Sequence, residues 1–303
     1  MTAATAPVAA PAVARRTHRR VRPGRFALHA FLITMSAIWL WPLLWAVYTA
    51  LRTFGDTQHN GYVSLPQSIT LQNFFDAWTQ GDLLRNYIQT LAIVIPGVIV
   101  TLLVASMIAF GVTKFSWRFN LVVLMLFTAG NLLPQQVIIV PLYRLYLALP
   151  LPSFMSDSGV FYDQIFGIFF INVVFQTGFC VFVLSNYMKT LGKELIEASM
   201  VDGAGVFRIW WSVILPLCRP ALAALATLEF TFIYNDFFWA LILISHGDRR
   251  PITAALNNLQ GEFFTNYNLL AAGAVLVAIP TIVVYILLQK QFIRGLTLGS
   301  TKG

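Results

Sequence analysis

The hydrophobic residues of this chain fall into long blocks that are separated by polar connections. An α-helix crosses a bilayer with about 20 predominantly apolar residues, and six blocks meet that length. These blocks are residues 31–51, 91–110, 121–143, 165–184, 221–240 and 269–288. A strand of a membrane barrel needs only about 10 residues, so the blocks are too long for barrel strands. The pattern therefore predicts an all-α membrane protein with six transmembrane helices.

Two of the six blocks contain polar residues that are candidates to line a translocation pathway. The candidates are Asn131, Gln135, Glu229, Asn235 and Asp236. Intramembrane acids are costly and usually face a bundle interior or an aqueous cavity, so pore lining or gating is one interpretation of the acids. A buried structural hydrogen bond is the other, and both stay open. The amides offer hydrogen bonds to a hydroxyl-rich solute, but such residues also join membrane helices to one another.

The composition agrees with a membrane protein, because 58% of the residues are hydrophobic and 11% are charged. Soluble domains carry about 25% charged residues. The net charge of +8 does not indicate nucleic acid, since the basic residues lie in the connections and form no binding footprint. The two cysteines make no disulfide framework, and the four scattered histidines indicate no metal site.

The basic residues also predict the orientation of the chain. With the N-terminus inside, fifteen of the 20 Lys and Arg residues fall in inner segments and five in outer loops. Positive charge marks the cytoplasmic side of membrane proteins, so the bias predicts an N-in/C-in topology. The loop between the fourth and fifth blocks, residues 187–216, then faces the cytoplasm.

Three regions follow from this division. Residues 1–25 are rich in Ala and Pro and then basic, a composition that predicts disorder. Residues 26–290 form the predicted six-helix transmembrane domain, which includes loop 187–216. Residues 291–303 form a predicted cytoplasmic tail.

The sequence of loop 187–216 predicts two short helices separated by a turn. Asp202 and Gly203 break the first helix, because glycine tolerates positive φ and aspartate is a good capping residue. The second helix carries a large apolar stripe at i, i+3, i+4 and i+7, formed by Phe207, Trp210, Trp211 and Ile214. Such a stripe packs on lipid or on neighbouring spans, or it docks a cytoplasmic partner.

The loop resembles the EAA loop of ABC-importer permeases. That family's pattern is Glu-Ala-Ala, three residues, Gly, nine residues, Ile, one residue, and Leu-Pro. Here Ser199 replaces the second Ala and Val213 replaces Ile, with the spacing unchanged. The matching positions form the predicted ATPase-coupling loop: Glu197, Ala198, Ser199, Asp202, Gly203, Ala204, Leu215 and Pro216. The segments 234–237 and 292–303 are similar to the smaller permease of maltose-type carbohydrate uptake systems.

The resemblance implies a type I ABC-importer permease in a bacterial plasma (inner) membrane, where it is multi-pass and surrounded by lipid. It implies three kinds of protein partner: a second permease subunit, two ATP-binding subunits and an extracytoplasmic sugar-binding protein. Glu197 would face basic groups of the ATPase, Gly203 would allow the turn, and the stripe of Phe207, Trp210, Trp211 and Ile214 would anchor the loop to its own bundle. ATP and magnesium would be bound by the partner ATPase, and the chain has no P-loop motif of its own.

The predicted function is therefore transport of a sugar or oligosaccharide, or of a related polyol or glycerol phosphate, by a subunit that is not itself an enzyme. A secondary active transporter of a small polar solute is the alternative. It would carry paired intramembrane charges in both halves, whereas only the fifth block holds charges. A membrane enzyme is disfavoured, because no block contains a catalytic constellation.

Overall fold

The computed structural model of the protein describes residues 23–154, 156, 158–246, 249–260 and 265–297. Fourteen α-helices lie in these ranges: α1 Pro23–Ala50, α2 Phe54–Asn60, α3 Gln72–Gln80, α4 Leu83–Lys114, α5 Asn120–Leu132, α6 Ile139–Ala148, α7 Ile165–Lys189, α8 Glu194–Val201, α9 Val206–Ile209, α10 Leu215–Leu217, α11 Arg219–Tyr234, α12 Phe238–Leu243, α13 Ile252–Ala255 and α14 Tyr267–Thr297. Short 3-10 turns cover Gln135–Ile138 and Leu256–Leu259, and a π-helical turn covers Trp210–Ile214. Over the same residues, β structure is limited to the single bridges Arg52–Ile69 and Pro150–Val160. The expectation of an all-α membrane protein is confirmed.

Four of the described helices are long and apolar enough to cross a membrane: Gly24–Ala50, Leu83–Lys114, Ile165–Lys189 and Tyr267–Lys290. Two bent helix pairs meet the same test together, Asn120–Leu132 with Gln135–Ala148 and Val206–Leu217 with Arg219–Tyr234. The bends measure 92° and 78°. The described residues thus contain four spans, or up to six if each bent pair is counted as one.

The third predicted block, residues 121–143, is not one continuous helix. The chain leaves the helical conformation at Leu133, with ψ of 128°, and Pro134 also has ψ of 128°. Proline has no N–H for the helix ladder, and it disfavours the helical conformation in the residue before it. These two effects explain why α5 ends at Leu132, and the chain turns through 92° before α6.

The fifth predicted block, residues 221–240, is interrupted as well. Helix α11 ends at Tyr234, and α12 starts at Phe238. The Asp236 carboxylate accepts a hydrogen bond from the Trp239 N–H at 3.1 Å. An acidic side chain that satisfies a free N–H at a helix start favours a new helix over the continuation of the old one.

Among the described residues, those up to Trp45 belong to one unit, and those from Ala46 onward belong to another. In the first unit α1 begins at Pro23, so the last three residues of the predicted disordered segment 1–25 are helical, and residues 1–22 lie outside the described residues. At the other end α14 continues to Thr297, and the last six residues of the predicted tail also lie outside them.

The second unit is built on α4 and α7, which pack along their lengths, with α5 and α11 against them and α14 packed against α11 and α3. The α5–α7 contact depends on Gly178. A Cβ atom at this position would lie 2.5 Å from the carbonyl oxygen of Phe127. Only a residue without a side chain allows two backbones to approach so closely.

Arg52 organises the short helices that follow α1. The side chain is 1% exposed, and its Nε donates to Asp56 at 3.0 Å while its Nη atoms reach Gly61, Tyr62 and Ser64. The Arg52 hydrogen bond, aided by Asn60, lowers the pKa of Asp56 to about 2. Charged groups with this many fixed partners hold a segment in one conformation.

Candidate functional site

The first helix of loop 187–216 ends in a glycine-dependent turn. Helix α8 stops at Val201, and Gly203 follows with φ of +77°. The Gly203 N–H donates to Met200 O and the Ala204 N–H to Ser199 O, each at 3.0 Å. This pair of bonds is the Schellman arrangement, which requires a left-handed residue at the glycine position. The predicted break at Asp202 and Gly203 is therefore present, and its cause is the turn at the helix C-terminus.

Helix α8 and the turn after it expose four of the eight motif residues, and the other four are partly exposed. Glu197, Ala198, Asp202 and Gly203 are exposed, while Ile196 is buried in the bundle. Apolar side chains accompany the carboxylates on the exposed surface: Leu195, Met200 and Val201, the last of them 88% exposed. An exposed surface that combines apolar and acidic groups on a fixed helix suits a protein partner.

The second helix of the loop differs from the predicted stripe. Trp210 and Ile214 are buried, together with Ile209, but Phe207 and Trp211 are 65% and 52% exposed. Thus only two of the four stripe residues anchor the loop to its own bundle by burial. The anchoring role of Phe207 and Trp211 stays a prediction.

A π-helical turn lies within this segment. The Leu215 N–H donates to Trp210 O, which is the i to i+5 bond of a π-helix. Ile214 stays buried at the end of this turn and Phe207 precedes it, so the turn does not account for the exposure of Phe207. Phe207 and Trp211 instead stack on each other, with ring centroids 6.5 Å apart and planes 10° apart.

The loop rests on the ends of α4 and α7. Ile196, Ile209 and Ile214 belong to one apolar cluster with Phe110 of α4 and Met188 of α7. A cavity of about 350 Å³ beside it is lined by Met107, Phe110, Gly111, Phe115, Val206, Phe207 and Trp210. The loop is thus a packed extension of the helix bundle.

Glu229 does not face an open pathway within this chain. Its side chain is fully buried, and its Oε1 accepts a hydrogen bond from the Cys180 Sγ at 3.1 Å. Of the two open interpretations, this geometry favours a buried structural hydrogen bond between α11 and α7. The Oε2 atom has no hydrogen-bond partner in the described structure.

Asp236 joins three segments at the end of α11. Its Oδ2 accepts from the Asn172 amide at 2.7 Å, its Oδ1 caps α12, and its backbone carbonyl accepts from the Thr253 hydroxyl at 3.2 Å. The neighbouring Asn235 is exposed and donates to the Thr231 carbonyl at 2.8 Å. Asp236 is therefore committed to holding segments together, whereas Asn235 retains an exposed side chain.

The two amides of the third block lie on either side of its break. Asn131 is exposed on α5 and donates to Phe175 O of α7 at 3.1 Å. With Leu126, Phe127, Gly130, Val174, Phe175 and Gly178, it lines a cavity of about 190 Å³. Gln135 is partly exposed in the 3-10 turn beyond the break. The structure thus brings Asn131 to a cavity and leaves Gln135 apart from it.

Sequence reasoning missed the residues that hold these candidates in place. Cys180, Asn172 and Lys114 are each bonded to a partner more than 40 positions away, and no periodicity or motif marks such a pair. For Asn172 a signal existed, since it is one of two amides in the apolar fourth block, with Gln176. Among the residues described, no group of three or more His, Cys, Asp or Glu is placed to hold a metal ion.

Comparison with known proteins identifies the family. Residues 97–297 match the family described as the binding-protein-dependent transport system inner membrane component. The melibiose/raffinose/stachyose import permease protein MelC of Bacillus subtilis is 29% identical over 256 residues, covering 84% of this chain and 88% of that protein. The arabinooligosaccharides transport system permease protein AraQ of Halalkalibacterium halodurans is 28% identical over 281 residues, covering 92% of this chain and 94% of that protein.

Solved structures show the same fold. A chain of a bacterial ABC transporter involved in the import of the acidic polysaccharide alginate superimposes with a TM-score of 0.73 at 20% identity, over 90% of this chain and 98% of that one. A chain of a bacterial alginate ABC transporter in complex with an alginate pentasaccharide-bound periplasmic protein gives a TM-score of 0.55 at 18% identity, over 88% and 93%.

Proposed function

The chain belongs to the family of binding-protein-dependent transport system inner membrane components, and on that basis we propose that it helps to import a sugar or oligosaccharide. It is an integral membrane permease, and ATP hydrolysis in this family belongs to a separate subunit. The names of relatives such as MelC and AraQ support a carbohydrate cargo. A related polyol or glycerol phosphate fits the same proposal.

We propose that loop 187–216 binds the ATPase and carries its movement to the spans. The observation that carries this proposal is the position of α8: Glu197 and Ala198 are exposed, while Ile196 and the following Ile209 and Ile214 are buried against α4 and α7. A force on the exposed face therefore reaches two long helices through close-packed side chains, which transmit strain because interiors have low compressibility.

We place the loop in the cytoplasm and the bundle in a bacterial plasma membrane. Support comes from the positive-inside bias, with fifteen of the 20 Lys and Arg residues on the loop's side of the topology. In this orientation the Arg52 network lies at the outer end, opposite loop 187–216.

The assembly that we propose contains a second permease subunit, two ATP-binding subunits and an extracytoplasmic sugar-binding protein. A solved structure of similar fold supports the last of these, since that alginate ABC transporter is in complex with a periplasmic protein. ATP and magnesium would be held by the ATP-binding subunits. The described residues present no cluster for a metal of their own.

For the pathway, we propose that Asn131 and Asn235 contribute and that Glu229 and Asp236 support the helices around it. Both amides are exposed at their positions, although each also bonds to a backbone carbonyl. Gln135, at the break of the third block, remains a third pathway candidate. Glu229 is fully buried in this chain, and Asp236 is occupied by Asn172 and α12.

The test is purification of the native assembly through this chain, followed by mass spectrometry of the ligand released from the co-purified binding protein. We expect a second permease, an ATP-binding subunit and a mono- or oligosaccharide or polyol. Recovery of an amino acid, a metal ion or a peptide on the binding protein would contradict the carbohydrate assignment. Recovery of the chain with no ATP-binding subunit would contradict the importer itself.

A further inference from the structure

The last residue of α4 is bonded to the entrance of loop 187–216. The Lys114 ammonium donates to the Leu191 carbonyl at 2.7 Å, across 77 positions of sequence. The side chain is half-buried, so its four methylenes lie along the bundle and its charge reaches the loop. Helix α4 is one of the four long membrane helices, and Lys114 is where it ends.

The position of this bond is chemically favourable. Helix α7 ends at Lys189, and the carbonyls after a helix C-terminus lack partners within the helix. A cation at that end also complements the negative end of the helix dipole. Helix α8 begins at Glu194, three residues after Leu191. Lys114 therefore lies at the junction of α4, α7 and α8.

The exit of the loop is bonded separately. The Tyr187 hydroxyl, near the end of α7, donates to the Leu217 carbonyl at 3.3 Å. This bond closes the loop on α7, and the cluster of Ile196, Ile209 and Met188 fills the space beneath it. The loop is thus fixed to α7 at its exit, while the direct polar link to α4 is the Lys114 bond at its entrance.

We propose that Lys114 is a positioning residue that makes the end of α4 move together with loop 187–216. The inference rests on the proposed coupling role of the loop and adds to it a route to α4. Without the ammonium, the loop would keep its bond to α7 and its apolar packing. The ATPase could then still dock and hydrolyse ATP, but α4 would follow its movement less closely. Less solute would be moved for each ATP.

The first test compares variants in the complete transporter reconstituted in vesicles, with the second permease, the ATP-binding subunits and the binding protein. The variants are Lys114→Met, Lys114→Arg and, as a matched control, Lys290→Met, which removes one exposed Lys at the end of the apolar span Tyr267–Lys290. We expect solute moved per ATP to fall about tenfold in Lys114→Met, the order expected for one hydrogen bond to a charged group. Lys114→Arg should restore most of it, and Lys290→Met should match the wild type.

The second test measures the distance between the end of α4 and the end of α8. Spin labels are placed on Ser116→Cys, just beyond α4, and Val201→Cys, at the end of α8, where both side chains are exposed. The native cysteines are buried and label poorly. We expect one narrow distance distribution in the wild type, a broad one in Lys114→Met and a narrow one in Lys114→Arg. If Lys114→Met does not assemble, Lys114→Gln takes its place.

The outcomes separate two kinds of failure. An unchanged ratio and an unchanged distance distribution in Lys114→Met would overturn the role of Lys114. A lower ratio that Lys114→Arg does not restore would also overturn it. A wild-type assembly that hydrolyses ATP without any uptake would instead count against the coupling role proposed for the loop.

Discussion

Gly203 gives the sharpest test of the loop's geometry, because a side chain added there would affect the backbone conformation without contacting any other residue. Its φ is +77°, and a Cβ at this position would meet no atom within 4 Å. The cost of Gly203→Ala is therefore the cost of the left-handed conformation alone, about 1–2 kcal/mol for an L-residue. Asparagine tolerates this conformation better, so Gly203→Asn should cost less.

The same loop supplies a matched control. Gly205 has φ of −69° and ψ of 158°, an extended conformation open to any L-residue, and its surroundings are also empty. Gly205→Ala should therefore behave as the wild type. If the backbone at position 203 leaves the left-handed conformation in the free Gly203→Ala permease, binding of the ATPase must restore that conformation. The cost of about 1–2 kcal/mol then lowers affinity by about 5- to 30-fold.

The assay is titration of the purified ATP-binding subunit onto the permease in lipid nanodiscs, with the dissociation constant as the result. We expect the order wild type and Gly205→Ala tightest, then Gly203→Asn, then Gly203→Ala. Thermal unfolding of each variant checks that the helix bundle is intact. Equal affinity for Gly203→Ala and Gly205→Ala would refute the argument that the left-handed turn presents α8 to the ATPase.

Three further predictions concern the bundle. Gly178→Ala should lower the free energy of unfolding by about 1–3 kcal/mol, because its Cβ would lie 2.5 Å from a backbone oxygen of α5. Gly111→Ala, whose Cβ would meet open space, should not lower it, and thermal unfolding in detergent compares the two variants. Glu229→Ala should lower the free energy of unfolding by about 1 kcal/mol, because it removes the acceptor for Cys180, and Glu229→Gln should lower it less. Similar uptake per folded molecule in both variants would support a structural role for Glu229, whereas a changed solute preference would contradict it. Because folding lowers the pKa of Asp56 from 3.8 to about 2, its ion pair stabilises the fold above about pH 4, and this stabilisation is lost as the pH falls towards 2. Asp56→Asn should therefore reduce the loss of stability between pH 5 and pH 2, as measured by unfolding at each pH.

The membrane character and the loop were predictable from sequence because each rests on local information. Block length determines whether a helix can cross a bilayer, and the Asp202-Gly203 pair marks a helix end by its own conformational preferences. The break of the third block was visible in part, since Pro134 stood in the sequence. The 92° bend was not, because neighbouring helices set the direction that a freed chain takes.

The burial of individual side chains was less predictable because it depends on distant partners. The four residues of the stripe in loop 187–216 share a helical spacing, yet Trp210 and Ile214 are buried while Phe207 and Trp211 are exposed. The structural interpretation of Glu229 depends on its hydrogen bond with Cys180, which lies 49 positions earlier. A lone acid in an apolar block is equally compatible with a pore and with a buried bond, and only the fold distinguishes them.

The most direct test of the central claim is the uptake of the carbohydrate by vesicles that contain the reconstituted transporter, measured together with ATP hydrolysis for wild type and Glu197→Lys. Glu197 is exposed on α8 and its substitution reverses one charge without touching the bundle. The account predicts ATP-dependent uptake in the wild type, and a loss of both uptake and ATPase binding in a variant that remains in the membrane. Uptake at the wild-type rate by Glu197→Lys would contradict the claim that loop 187–216 couples the ATPase to the spans.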